Sequence, residues 1–143
     1  MRRVLLWSLG AVIILAAGGW GARALWEHAT FGRKIAQDQL TVTVGRGDRF
    51  SLAIPDRGAS VGDAWSATVA PDGVLTPVDN RKIMSNPGDR IFGPEAGGGG
   101  GTRYFVFTAD APGTARVTLA NCFQGCDEPS PLSRTVTWQV TVR

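Results

Sequence analysis

The sequence contains a single histidine, His28, and two cysteines, Cys122 and Cys126, in 143 residues. One histidine beside an apolar N-terminal stretch cannot serve a Ser/His/Asp or Cys/His catalytic system in the rest of the chain. The sequence also lacks an HExxH motif, a phosphate-binding loop followed by a helix, and a metal-spaced set of cysteines. We therefore expect a protein that is not an enzyme and has no cofactor and no metal site.

An excess of charge of one sign is absent from most of the chain. The net charge of +3 arises from 15 basic and 12 acidic residues. Three of the basic residues, Arg2, Arg3 and Arg23, flank or end the N-terminal apolar stretch, so the other 12 balance the 12 acidic residues. Nucleic-acid-binding domains need a basic patch. The balance therefore predicts no nucleic-acid partner.

Residues 4–22 form a long apolar run of 19 consecutive uncharged residues. This length is close to the roughly 20 residues that cross a bilayer as a helix. The two arginines before the run, Arg2 and Arg3, favour a cytoplasmic N-terminus. The sequence predicts one N-terminal transmembrane helix, with residues 1–26 as the membrane anchor and the remaining chain on the extracytoplasmic side of the cell membrane.

A cleaved signal peptide and a secreted protein are the alternative, because Ala22-Arg23-Ala24 has the small-x-small form of a cleavage site. In the anchored interpretation, Trp20 and Trp26 lie at the outer membrane interface, where amphipathic rings are favoured. Residues 27–39 are polar and show little periodicity. They are interpreted as a juxtamembrane connector.

Alternating apolar and polar residues, the pattern of half-buried strands, recur from Leu40 onward. The patterns cover residues 40–44, 49–54, 64–69, 74–78, 102–108, 114–120 and 135–142. Residues 80–95 are rich in proline and glycine, which indicates irregular chain with one or two weak strands. The sequence predicts an all-β domain over residues 40–143. This domain is an immunoglobulin-like β-sandwich of seven to eight strands, without an amphipathic helix, and Trp65 and Trp138 lie in its core.

Two short loops flank the hairpin predicted over residues 102–120. A run of five glycines, 97–101, precedes the hairpin, and the cysteine loop 122–126 follows it. The entry and exit of a two-stranded hairpin lie at the same end, so the two loops should be neighbours. A glycine run is mobile and free of side chains, and its alternative interpretation is a loop without any ligand.

The spacing of Cys122 and Cys126 allows a local disulfide, and two cysteines outside the membrane fit an oxidising compartment. Free thiols are the alternative. A metal site is disfavoured because no histidine lies near the pair in sequence.

Four stretches together resemble the chagasin-type inhibitors of papain-like cysteine proteases. They are LTVTVGRGDRFSLAI, the segment Gly62-Asp63-Ala64-Trp65, the glycine run before TRYFVFTADAPGTARVTLA, and TVTWQVTV. The resemblance covers residues 40–142. It implies an immunoglobulin-like sandwich that inserts three loops from one end into the protease cleft.

The match is uneven from loop to loop. The family's first loop reads Asn-Pro-Thr-Thr-Gly-aromatic-x-Trp, whereas this chain keeps mainly the glycine and the tryptophan. The glycine-rich second loop is well matched. The family's third loop carries Arg-Pro-Trp, which residues 121–126 replace with a cysteine loop that contains one aromatic residue, Phe123.

The resemblance implies partner-binding residues in all three loops. These residues are Gly58, Ala59, Ser60, Val61, Gly62, Asp63, Gly97, Gly98, Gly99, Gly100, Gly101, Asn121, Phe123 and Gln124. The expected function is reversible inhibition of a papain-like cysteine protease by a membrane-anchored domain. The alternative is a non-inhibitory immunoglobulin-like binding or structural module of the cell envelope, with another envelope protein as its partner.

Overall fold

Eight β-strands are present in the part of the chain that the computed structural model describes, residues 21–94, 99–127 and 130–143. Residues 21–31 form a helix, α1, and a second, short helix lies between the fifth and sixth strands. In chain order the other elements are β1 Arg33–Ile35, β2 Thr41–Val44, β3 Arg49–Asp56, a 3-10 helix Ala59–Val61, β4 Trp65–Ala70, β5 Leu75–Met84, α2 Pro87–Phe92, β6 Gly101–Ala109, β7 Gly113–Asn121 and β8 Arg134–Val142.

The strands form two four-stranded sheets. One sheet has the order β1-β3-β6-β5 and the other has the order β2-β8-β7-β4. The pairs β1/β3 and β2/β8 are parallel, and the other neighbours are antiparallel. This arrangement is consistent with the predicted immunoglobulin-like β-sandwich.

The core lies between the inner faces of the two sheets and follows the alternation in the sequence. Trp138 is fully buried there, as predicted. Trp65 is only half-buried at the start of an edge strand, with the guanidinium of Arg134 5.0 Å from its ring centre. The prediction that both tryptophans lie in the core is confirmed for Trp138. Trp65 packs against the core but stays partly exposed, because its strand β4 has no neighbouring strand on one side.

The segment 27–39, expected as a connector, carries the last turns of α1 and the whole of β1. Phe31 is buried with its ring centre 4.8 Å from that of Tyr104, and Ile35 belongs to the core cluster. The sequence has no periodic signal for this helix end and strand, because two apolar residues are too few to form a pattern and their partners are distant in sequence.

No helix within the described residues is long and apolar enough to cross a membrane. Of the predicted anchor, residues 1–26, only residues 21–26 fall inside the described chain.

Over residues 80–95, where the sequence predicts irregular chain with one or two weak strands, the structure has a strand and also a short helix that the sequence pattern does not predict. The edge strand β5 continues to Met84, and α2 follows. The side chain of Asn86 accepts a hydrogen bond from the backbone N–H of Gly88, and Pro87 occupies the first turn, where its missing N–H costs nothing.

The sandwich has two ends with different connections. At the end called here the turn pole, short turns at residues 45–48, 71–74 and 110–112 meet. Gly47 N donates to Ala109 O at 2.7 Å, and Asp110 N donates to Val74 O at 3.0 Å. At the opposite end, the loop pole, lie the first loop (57–64) and the described parts of the second loop (85–94 and 99–100) and of the third loop (122–127 and 130–133).

Candidate functional site

The first and third loops of the loop pole are hydrogen-bonded to each other. Gln124 N donates to Gly62 O at 2.8 Å, and Cys122 N donates to Ala64 O at 2.9 Å. Gly62 has a φ of 99°, and a Cβ at this position would lie 2.6 Å from Cγ of Gln124. The glycine thus lets the two loops approach closely, and the pair forms one continuous surface.

The second loop touches the first at Gly58. A Cβ on Gly58, whose φ is 111°, would lie 3.3 Å from the carbonyl oxygen of Gly99. Gly101 pairs with Asp56 as the first residue of β6 and is therefore part of the sheet and not of the loop, in contrast to the prediction. A Cβ there would lie 2.2 Å from the carbonyl oxygen of Ile83. Residues 97 and 98 lie outside the described chain.

Asp63, predicted as a partner-binding residue, is buried beneath the first loop. Its carboxylate accepts hydrogen bonds from the backbone N–H of Arg57 at 2.8 Å and from Nη2 of Arg57 at 2.6 Å. It also accepts one from Nδ2 of Asn121 at 2.9 Å, and the Asn121 side-chain oxygen accepts from Ala64 N. The two side chains therefore brace the first and third loops from below, and neither is exposed to solvent.

The environment of Asp63 also sets its charge state. Burial alone would raise the pKa of this carboxyl. The side-chain and backbone hydrogen bonds from Arg57 and the amide of Asn121 outweigh burial and lower the pKa to about 2. The carboxylate is therefore ionised across the physiological pH range and holds Arg57 against the loop.

A second buried carboxylate, Asp56, was not among the predicted residues. It accepts from Gly58 N at 2.7 Å, from Lys82 Nζ at 3.3 Å and from Arg103 Nε. These contacts tie the start of the first loop to β5 and β6. The sequence pattern does indicate that Asp56 is buried, because this residue continues the alternation of inward-facing residues along β3.

The third loop is closed by a disulfide between Cys122 and Cys126, whose Cα atoms are 5.0 Å apart. The predicted local pairing is confirmed. Phe123 is half-buried, with the guanidinium of Arg57 4.7 Å from its ring centre, and its backbone N–H donates to Oγ of Ser133 at 3.0 Å. Gln124 is exposed.

The most exposed apolar side chains of the loop pole were missed by sequence reasoning. Ile91 and Phe92, on α2, are 74% and 88% exposed. The helix is closed at its end by Gly93 N, which donates to Asp89 O at 3.1 Å. Two adjacent exposed apolar side chains make this helix a candidate part of an interaction surface.

The other predicted residues of the first loop lie at or near the surface. Ala59 and Ser60 are exposed, and Val61 and Gly62 are half-buried. Across residues 21–94, 99–127 and 130–143, no group of three or more His, Cys, Asp or Glu side chains could hold a metal ion.

The sequence profile of the chagasin family of peptidase inhibitors, I42, matches residues 43–142. The chain belongs to this family. The resemblance inferred from the strands and the glycine loop is therefore confirmed, and so is the prediction that the protein is not an enzyme, because the family consists of peptidase inhibitors. No curated protein sequence matches the chain.

Three solved structures are similar to this chagasin-family chain, and each match covers 78% of it. The cysteine protease inhibitor EhICP2 from Entamoeba histolytica has a TM-score of 0.60 at 16% identity, with 95% of its chain covered. Amebosin has a TM-score of 0.56 at 18% identity, with 97% covered. PbICP-C, solved in complex with falcipain-2, has a TM-score of 0.51 at 14% identity, with 88% covered. At these identities the likeness establishes the fold.

Proposed function

We propose that this chain is a reversible inhibitor of papain-like cysteine proteases that acts through its loop pole. The observation that carries the proposal is that the first and third loops form one preassembled surface, joined by the hydrogen bond from Gln124 N to Gly62 O, with Gly99 of the second loop close to Gly58. A surface ordered before binding loses less conformational entropy when a partner docks. PbICP-C, a structural relative, was solved with falcipain-2.

Each loop makes a different contribution to this surface. In the second loop Gly99 is buried against the first loop, and Gly100 is exposed and allows close approach to partner backbone, because it carries no side chain. Phe123 is held under Arg57 by the disulfide loop and supplies an oriented apolar face. Ile91 and Phe92 add a larger apolar area that becomes buried only when a partner binds. Inhibition is steric, with no covalent step and no metal.

We further propose that residues 1–26 anchor the domain on the extracytoplasmic face of the cell membrane. The apolar run 4–22 has the length of a membrane span. The disulfide between Cys122 and Cys126 supports an oxidising compartment. Secretion after cleavage of the same segment is the alternative.

Titration of papain with the oxidised full chain in lipid nanodiscs tests the inhibitory function. The unaltered protein should inhibit at micromolar concentration or below. The variant Phe92→Ser should bind about tenfold to a hundredfold more weakly, because a large apolar side chain contributes about 1.5–3 kcal/mol when it is buried. Val78→Ser removes an exposed apolar side chain from the edge strand β5 and is the matched control.

Absence of inhibition at micromolar concentration would exclude papain-like proteases as the partner. One observation favours the alternative of a non-inhibitory envelope module: Phe123, the aromatic residue of the third loop, is half covered by Arg57 and not fully presented. Crosslinking from position 92 in intact membranes, followed by identification of the captured protein, would separate the two functions, because the module requires a partner that is not a protease.

A further inference from the structure

The first six residues of α1 are all exposed, and among them Leu25 is 73% and Trp26 is 56% exposed. One edge of Trp26 meets the ring of Phe31, with the ring centres 6.2 Å apart, so the sandwich covers only part of the indole. Two large, adjacent apolar side chains therefore remain largely open to an outside partner. Only Arg23 and Ala24 separate them from the apolar run 4–22.

The last turn of α1, in contrast, is fixed to the sandwich. Phe31 is 1% exposed and packs on Tyr104. Arg49 Nη1 donates to Ala29 O at 2.9 Å, and Lys34 Nζ contacts Glu27 Oε2 at 2.8 Å. The end of the helix is thus held to the sheet by contacts with Tyr104, Arg49 and Lys34.

A single residue, Gly32, separates α1 from β1. Its φ is 59°, and a Cβ there would lie 1.8 Å from the carbonyl oxygen of Arg49. The backbone at this point is therefore pressed against the sheet, and the connection is not a flexible linker. The helix and the sandwich should move as one body.

The chain enters the sandwich at the turn pole, and the ring of Phe31 reaches from there to Tyr104, which pairs with Ala53 near the middle of the sheet. Gly32 lies against Arg49, the first residue of β3, which directly follows the turn at residues 45–48. The loop pole lies at the other end of the strands. A nine-residue strand such as β6 spans roughly 30 Å at about 3.3 Å per residue.

We propose that Leu25 and Trp26 contact the outer interface of a lipid bilayer, and that the last turn of α1 holds the sandwich there with its turn pole toward the lipid and its three loops pointing away. This inference rests on the proposed membrane location. Lipid is the fitting occupant because the membrane-length apolar run leads straight into this helix, and because tryptophan is favoured at membrane interfaces. The loops are then open to proteases that arrive from the aqueous side.

Energy transfer in vesicles tests the orientation. The oxidised full chain would carry a donor dye on an azide-bearing residue at position 72, in a turn of the turn pole, or at position 132, in the third loop. The vesicles would carry acceptor-labelled headgroups. Transfer from position 72 should exceed transfer from position 132 by about twofold or more, because the poles are about 30 Å apart. The variant Phe31→Ala frees the last turn and should reduce the difference.

Flotation of the same vesicles tests the membrane location separately from the orientation of the sandwich. A chain that does not float with lipid overturns the membrane location itself. A chain that floats but shows equal transfer from the two positions, or more from position 132, overturns the orientation alone.

Quenching of tryptophan fluorescence by brominated lipids tests the contact of Trp26. The variant Trp26→Phe should lose part of the quenchable emission, whereas the control Trp65→Phe, altered at the loop pole, should not. An unchanged quenchable fraction in Trp26→Phe would overturn the lipid contact.

Discussion

Two buried carboxylates, Asp56 and Asp63, support the loop pole from below. Burial of an ionised carboxylate is costly unless cations and backbone N–H groups compensate for the lost water. Arg57 provides this compensation for Asp63, and Lys82 and Arg103 provide it for Asp56. The alternation along β3 predicts that Asp56 faces inward, but no local pattern indicates its partners, which lie 26 and 47 residues further along the chain.

Replacement of Asp63 by asparagine should destabilise the protein by about 2–3 kcal/mol, because Arg57 and Asn121 would lose a charged acceptor. The folded-state pKa is about 2, below the reference value of 3.8. A depressed pKa means that the carboxylate stabilises the fold fully above about pH 4 and that this stabilisation is lost as pH falls toward 2. The free energy of unfolding of Asp63→Asn, measured in urea, should therefore fall less steeply than that of the unaltered protein as the pH is lowered from about 4 to about 2.

The control for this experiment is Asp72→Asn, at an exposed turn of the turn pole. It should leave the free energy of unfolding within about 0.5 kcal/mol of the unaltered value. Equal acid sensitivity of the unaltered protein and Asp63→Asn would show that other carboxyls govern the acid response.

At the scale of elements, sequence patterns predict the strands with regular alternation, including the four-residue β2, and miss β1, α2 and the second half of β5. Strands β3, β6, β7 and β8 are long stretches of alternation or of aromatic and β-branched residues, which makes them recognisable. The three-residue strand β1 pairs in parallel with β3, and such pairing depends on distant chain. The helix α2 has only six residues, and its signal is limited to the Asn86-Pro87 cap.

The packing of the first loop on the third depends on Gly62. The variant Gly62→Ala should cost about 1–3 kcal/mol of stability, because alanine is strained at a φ of 99° and its Cβ would collide with Gln124. Displacement of the third loop should also weaken inhibition of papain by about tenfold or more. The free energy of unfolding and the inhibition of papain can both be measured on one preparation of the variant.

Gly73 offers the matched control, because it has a φ of 87°, lies at the turn pole, and has no atom within 4 Å of the place that a Cβ would occupy. Gly73→Ala should lose about 1 kcal/mol of stability through backbone strain and keep its inhibition unchanged. If the two variants lost inhibition equally, the contact between the loops would not be responsible.

At the scale of the whole molecule, the sandwich includes chain that precedes residue 40. The family match begins at residue 43, yet Ile35 lies in the same core cluster as Leu52 and Trp138. The sequence pattern predicts the start of the domain at Leu40 because regular alternation begins there. The earlier strand is recognisable only from its pairing with β3.

Replacement of Ile35 by alanine should therefore lower the free energy of unfolding by about 2–5 kcal/mol, as expected for a fully buried isoleucine. Leu40→Ala, at a residue that is 47% exposed, should cost far less. Comparable small losses in both variants, measured by urea unfolding of the full chain, would place β1 outside the cooperative unit.

The parallel pairing of β2 with β8 joins residues 41–44 to residues 139–142, nearly the full length of the domain apart. A ribosome releases the second of these strands only after the other seven strands of the domain. The sheet that contains both strands cannot close before then, and long-range closure of this kind is slow. Until β8 is synthesised, the inner face of the other sheet has an incomplete partner, so the apolar side chains of the core remain open to solvent and to other chains.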